Sequence, residues 1–203
     1  VDLTRFTQLS QNMALVNIFV KMVSWLLTTV WIVWILNLLS WSNGVDGQYS
    51  GIAGISLIIV SILSLRFGTD KSGYLGYAQM ALIGAGVSLG LARVTWFPSK
   101  MMWGFGAMSA GLVLASLSIL VQAKVITSIL ILLNPFLDAV VTFFRRILSG
   151  KSPLKGDKEH FHHLLMARGL SERQVAIFYW VFTAFFGGLS LLSANNIQAQ
   201  RVL

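Results

Sequence analysis

The chain has 203 residues, of which 56% are hydrophobic and only 11% are charged, and its mean hydropathy is +0.75. Soluble domains contain about 25% charged residues, so this composition excludes a large soluble domain and predicts a helical membrane protein. The absence of cysteine excludes disulfides and thiolate metal sites. The net charge of +8 does not indicate nucleic-acid binding, because the basic residues lie between apolar segments and not on one soluble face.

Six apolar segments approach the length of about 20 residues that crosses the hydrocarbon core of a bilayer. We therefore predict an all-α polytopic membrane protein with about six transmembrane helices, in a single integral membrane domain over residues 1–203. The chain opens at Val1 on a segment typical of a loop entered midway, and we expect it to be the C-terminal portion of a longer protein. The predicted spans cover residues 15–39, 49–65, 74–92, 101–121, 125–144 and 175–192.

Alternation of these helices places three connecting loops on one side of the membrane, near residues 40–48, 93–100 and 145–174. The loops near residues 66–73 and 122–124 fall on the other side. Because basic loops face the cytoplasm, we predict that the first side is cytoplasmic, that 145–174 is a basic, histidine-containing cytoplasmic loop, and that the three loops together form the site. The first side holds nine basic residues, Arg93, Lys100, Arg145, Arg146, Lys151, Lys155, Lys158, Arg168 and Arg173, and the second holds three, Arg66, Lys71 and Lys124.

The loop after the first predicted helix carries polar side chains at regular intervals. Asn37, Ser40, Asn43 and Asp46 are spaced by three residues and would share a face at a helix end. Such residues can offer oxygen ligands to Mg²⁺ or bind a phosphate. A turn built by Asn and Gly is the alternative that the composition leaves open.

Asp138 lies inside the predicted fifth span, where a carboxylate is costly unless it is paired or faces a cavity. Pro135, just before it, could open the helix. Either a functional role or a structural ion pair within the bundle accounts for this acid.

Three basic residues stand at predicted helix ends. Arg145 and Arg146 suit the C-terminal end of a helix at the membrane surface, and an arginine fork can also bind phosphate. Lys100 either contacts a phosphate or extends along apolar surface to reach water.

All three histidines of the chain, His160, His162 and His163, fall within four residues. They lack the i, i+4 spacing of a zinc-binding helix, although His160 and His163 could share a face. Neighbouring lysines and imidazole N–H groups would form an anion pocket near neutral pH, with Asp157 orienting one imidazole. A solvated histidine cluster is the alternative.

Together these segments resemble the polyprenyl-phosphate N-acetylhexosamine-1-phosphate transferase superfamily, in the family's order. "DKEHFHHLL" resembles its D-x-x-H-x-H-H-x-L-L element and favours the branch that uses UDP-GlcNAc-like donors. "NPFLDAVVTFFRR" resembles the P-x-x-D…RR stretch before it. "NLLSWSNGVDGQ" resembles N-x-x-N-x-x-D-G-x-D-G, and "FPSKMMWGFG" resembles P-A-K-x-F-M-G-D.

The resemblance implies that polyprenyl phosphate attacks the β-phosphate of a UDP-sugar and releases UMP, with Mg²⁺ as cofactor. It implies a multi-pass protein of the bacterial inner membrane with its site facing the cytoplasm, and a homodimer is left open. Asp46 and Asp138 are the implied catalytic residues, with Asp46 also a metal ligand. The implied substrate-binding residues are Asn37, Asn43, Lys100, Arg145, Arg146, Asp157, His160, His162 and His163.

Three positions depart from the family pattern. Asn43 stands where the family has the first Asp of D-G-x-D-G, and Ser40 where it has the second Asn. Phe105 stands where the family has a metal-binding Asp. These departures leave open a catalytically inactive homologue that binds polyprenyl phosphate or a nucleotide-sugar. An unrelated transporter is a further alternative, but it gives no reason for the histidine run.

Overall fold

The computed structural model describes residues 3–67, 71–121, 129–150 and 160–202. These residues are predominantly helical and contain no β-strand, which confirms the predicted all-α class. The helices are α1 (Leu3–Trp41), α2 (Gln48–Phe67), α3 (Lys71–Thr95), α4 (Phe105–Leu120), α5 (Leu133–Leu148), α6 (Phe161–Ala167) and α7 (Glu172–Val202).

Four of the described helices are long and apolar enough to cross a membrane, as a polytopic membrane protein requires. The predicted fourth span was too long, because residues 101–104 lie in the loop before α4. The remaining apolar helix, Gly106–Leu120, is shorter than the other four. The four long spans are Val16–Trp41, Gln48–Arg66, Gly73–Thr95 and Glu172–Leu192.

The predicted fifth span, residues 125–144, is not one continuous helix. Its first residues lie outside the described part, and a turn at Leu132 separates helical residues 129–131 from α5. Pro135 falls in the first turn of α5, where a backbone N–H has no partner within the helix and its absence is tolerated. The proline therefore marks a helix start and does not open the middle of a span.

Residues 1–34 and 35–203 form two compact units. The first contains most of α1, and apolar side chains there, such as Trp25, are exposed. In the second, α2 is the central helix, because 78% of its span is buried against 22% for the span in α3.

Small side chains on α2 let its neighbours approach closely, as is common between membrane helices. Three neighbouring helices contact α2 at different residues. The contacts join Gly54 to Leu89 of α3, Tyr49 to the Ala107 carbonyl of α4, and Gly51 to Trp180 of α7.

Candidate active site

The segment from Ser42 to Gly47, here called the Asp46 loop, connects α1 to α2. The α1 helix ends at Trp41, and the Ser42 hydroxyl donates a hydrogen bond to the Leu38 carbonyl (3.0 Å). Gly47 has φ +78°, a conformation that glycine adopts without strain. The expectation of one shared helical face was wrong: Asn37 and Ser40 lie on the helix, whereas Asn43 and Asp46 lie in the turn.

The Asp46 loop is joined to the loop between α3 and α4. Asp46 Oδ2 accepts a hydrogen bond from the Ser99 backbone N–H (2.9 Å). Trp96 packs on Gly47, where an added Cβ would lie 2.7 Å from the indole ring. Lys100 follows directly, with an exposed side chain and its backbone N–H donated to the Val94 carbonyl (2.9 Å).

The Asp46 loop also meets the histidine run, through Gly44 and His162. A Cβ on Gly44 would overlap the imidazole of His162, which is only 1% exposed. Burial, followed by the charge of neighbouring His163, lowers the pKa of His162 from 6.5 to about 4. His162 is therefore a neutral, packed imidazole at neutral pH.

The three imidazoles form a row at the start of α6. The rings of His160 and His162 are stacked, with centroids 5.7 Å apart and an interplanar angle of 6°. The centroids of His162 and His163 are 4.3 Å apart. His160 is the N-cap of α6 with an extended backbone (φ −65°, ψ 153°), and His163 is the third residue of the helix.

Asp138 reaches the same region from α5 and is 5% exposed. Its Oδ1 accepts hydrogen bonds from the Phe161 backbone N–H (2.7 Å) and the Thr142 hydroxyl (3.3 Å). Its Oδ2 lies 3.4 Å from His160 Nδ1. The sequence predicted that Asp157 orients one of the imidazoles, but Asp157 lies outside the described residues. Asp138 is placed to do so for His160.

The remaining predicted residues differ in accessibility. Asn37 and Arg145 are exposed, whereas Arg146 is only 6% exposed. Phe105 begins α4, and its side chain is outside the described part of the chain. The two adjacent arginines therefore have different environments, and only Arg145 is open to a soluble anion.

Two residues of α7 that sequence reasoning did not single out hold the loops in place. Trp180 Nε1 donates to the carbonyls of Gly47 (3.1 Å) and Gln48 (3.3 Å). The Arg173 guanidinium donates to the Phe97 carbonyl (3.2 Å). A tryptophan in an apolar run carries no sequence signal that separates this role from contact with lipid.

Several buried polar groups beside these loops have no hydrogen-bond partner within the described part of the chain. They are the Gln48 amide, the Tyr179 hydroxyl, His160 Nδ1 and His162 Nδ1. Such groups are satisfied by ordered water or by a bound polar ligand.

The described residues contain no preformed cluster of metal-ligating side chains. Mg²⁺ prefers octahedral oxygen coordination. Within residues 3–67, 71–121, 129–150 and 160–202, no group of three or more His, Asp or Glu side chains is placed to hold a metal. Because Mg²⁺ is usually held by one or two carboxylates together with substrate phosphates and water, Asp46 stays a predicted ligand; its Oδ2 accepts the Ser99 N–H.

The fold and the site define an all-helical membrane protein whose polar loops meet at one end of apolar helices. The family model described as glycosyl transferase family 4 matches residues 2–122. The chain belongs to this family, which confirms the resemblance found in its motifs.

Curated relatives carry names within the same group. The chain is 31% identical over 168 residues to a probable undecaprenyl-phosphate N-acetylglucosaminyl 1-phosphate transferase of Bacillus subtilis (strain 168), covering 79% of this chain and 45% of the relative. It is 31% identical over 193 residues to the decaprenyl-phosphate N-acetylglucosaminephosphotransferase of Mycobacterium leprae (strain TN), which covers 84% of this chain and 48% of the relative. It is 25% identical over 172 residues to an undecaprenyl-phosphate alpha-N-acetylglucosaminyl 1-phosphate transferase of Escherichia coli (strain K12), which covers 81% of this chain and 47% of the relative. The chain thus spans about half the length of these relatives.

Proposed function

We propose that the whole protein transfers N-acetylglucosamine-1-phosphate from UDP-N-acetylglucosamine to polyprenyl phosphate. An oxygen of the lipid phosphate attacks the β-phosphorus of the donor, the bond to UMP breaks, and a polyprenyl-diphosphate sugar forms. The names of the relatives and the membership of glycosyl transferase family 4 support this proposal.

The observation that carries the proposal is the meeting of three distant segments. The Asp46 loop contacts the 96–104 loop through Ser99 and the histidine run through Gly44. These contacts lie at the ends of apolar helices, where the phosphate of a membrane lipid would also lie. Such a site can bring an anionic nucleotide-sugar close to a lipid phosphate, and phosphoryl transfer depends chiefly on this positioning and on charge neutralisation.

The site faces the cytoplasm of a bacterial plasma membrane in this proposal. The support is the excess of basic residues in the loops on the site's side, which the positive-inside rule assigns to the cytoplasm. A UDP-sugar made in the cytoplasm would then reach the site without crossing the bilayer. Homodimer formation is a further part of the proposal, and the mass of the protein in detergent tests it.

Among the described residues, Asp46 is the proposed catalytic carboxylate. Exposed Lys100 and Arg145 would bind the donor's phosphates, with Asn37, Asn43, His160 and His163 as further polar contacts. In this proposal Asp46 supplies one ligand to Mg²⁺ and the substrate phosphates supply others, and adding EDTA to the assay tests the requirement.

The test is UMP release by the purified full-length protein given UDP-N-acetylglucosamine, polyprenyl phosphate and Mg²⁺. Asp46→Asn keeps an oxygen that can accept the Ser99 N–H but removes the charge, so the loop stays in place. We expect turnover to fall by about 100-fold or more, as when one electrostatic group is removed from an active site. Arg66→Ala, an exposed basic residue at the far end of α2, is the control and should retain wild-type turnover.

The second candidate is a catalytically inactive homologue, favoured by Asn43 and Phe105 in place of two family aspartates. It predicts binding of polyprenyl phosphate or the nucleotide-sugar without UMP release above a heat-inactivated control. Wild-type turnover in Asp46→Asn would remove Asp46 from the site under either function.

A further inference from the structure

We propose that Asp138 is a positioning residue, which fixes the start of α6 and sets the proton of His160 on Nδ1, and is not a group that touches substrate. The proposal rests on the proposed function only where turnover is measured. The placement of His160 and its proton is argued from contacts between α5 and the start of α6 alone.

The first argument is the use of the Asp138 carboxylate. The Phe161 N–H belongs to the first turn of α6, where backbone N–H groups have no partner within the helix. Asp138, 23 residues earlier in the chain, supplies that partner at 2.7 Å. The carboxylate is 5% exposed, and Thr142 also donates to it. A carboxylate engaged in this way is poorly placed to bind substrate or to move a proton for it.

The second argument concerns the imidazole of His160. Its Nδ1 is buried and has no well-formed hydrogen bond among the described residues, and Asp138 Oδ2 lies 3.4 Å from it, slightly beyond ideal hydrogen-bond distance. In a neutral imidazole, the partner of one nitrogen decides which nitrogen carries the proton. A carboxylate is an acceptor only, so it favours the proton on Nδ1. His160 Nε2 is then left without a proton and can accept a hydrogen bond from another group.

The third argument links this contact to the Asp46 loop. His162 follows His160 by two residues, and its buried ring lies directly against Gly44. The position of α6 therefore sets how the histidine run meets the Asp46 loop. By binding the N–H of Phe161, the first residue of α6, Asp138 fixes how His162 packs against Gly44, although α5 does not border the Asp46 loop in sequence.

The direct test is nitrogen-15 NMR of the histidine rings, with ¹⁵N-histidine incorporated into the full-length protein in detergent micelles. His160→Gln identifies the resonances of His160. In the wild-type protein at pH 7.5, we expect His160 to carry its proton on Nδ1. In Asp138→Asn, the amide can still accept the Phe161 N–H while its NH₂ faces the imidazole, so the proton should move to Nε2.

The activity readout uses the same variants in the UMP-release assay. We expect Asp138→Asn to lower turnover by about 10–100-fold, the usual effect of removing a group that orients a site residue. Val141→Ala, on the exposed face of the same helix, is the matched control and should change neither the tautomer nor turnover. A purely structural role for Asp138 would lower the amount of folded protein without moving the proton of His160.

Each outcome decides the proposal. A wild-type His160 protonated on Nε2 would overturn it, and this measurement does not depend on the folding of Asp138→Asn. Unchanged tautomer or wild-type turnover in Asp138→Asn would overturn it as well. If the wild-type protein releases no UMP, the proposed function fails, while the tautomer of His160 still tests the positioning role.

Discussion

Helices α2 and α5 bury different sets of side chains. In α2 the buried side chains are uncharged, namely apolar residues such as Leu57 at 0% exposure together with Gln48 and four serines. In α5 the buried set includes Asp138 and Arg146, whereas Val141 is 55% and Phe144 58% exposed. Lipid solvates apolar side chains as well as a protein interior does, so an amphipathic membrane helix turns its polar face inward. The difference teaches that polarity alone does not predict burial in this protein.

The largest expected effect on stability is the difference between two Leu→Ala substitutions, one in α2 and one in α5. Leu57→Ala in α2 leaves a cavity in a fully packed site, and we expect a loss of about 3 kcal/mol in the free energy of unfolding. Leu137→Ala in α5, a residue 42% exposed, should cost less than about 1 kcal/mol. Thermal unfolding in detergent measures both, and equal losses would remove the distinction between the helices.

The second comparison uses the adjacent arginines at the end of α5. Arg146 is 6% exposed and has interaction partners in the protein, so Arg146→Ala removes those interactions and the packing of a buried side chain. We expect a loss of about 2 kcal/mol in stability. Arg145→Ala, at an exposed position, should change stability by less than about 0.5 kcal/mol. A larger loss for Arg145→Ala would contradict the inward orientation of the polar face.

The third effect, no larger than the second, is a pH dependence of stability where the histidine run meets the Asp46 loop. Because the pKa of His162 is lowered from 6.5 to about 4, the folded protein keeps this imidazole neutral while the unfolded chain takes up a proton. The stability from His162 is fully present above pH 6.5 and is lost as the pH falls towards 4. Between pH 7 and 5 it should decrease by up to about 2 kcal/mol.

The measurement for His162 is a nitrogen-15 titration of the histidine rings, with His162→Asn for assignment. His163, His160 and Asp138 are the charged neighbours that influence the buried ring. We expect one imidazole to remain neutral down to about pH 5. Protonation of His162 near pH 6.5 would show that its ring is solvated, and the close packing against Gly44 would then be wrong.

The sequence by itself determined the helical class and most of the helix bounds near the site. Long apolar segments gave α2 and α3 because only a helix satisfies its backbone groups within a membrane. Alternation of the helices predicted that the Asp46 loop, the 96–104 loop and the histidine run share one side, and the contacts of Asp46 with Ser99 and of Gly44 with His162 place them together.

The tertiary structure alone decided which polar groups pair across these segments. Asp138 faces Phe161 and His160, and Trp180 holds the Gly47 carbonyl, although each pair is far apart in the chain. Composition and periodicity report which face of one helix is polar, but not which neighbouring helix that face meets. The physical reason is that such contacts depend on how the helices pack side by side, and this packing is set by many residues at once.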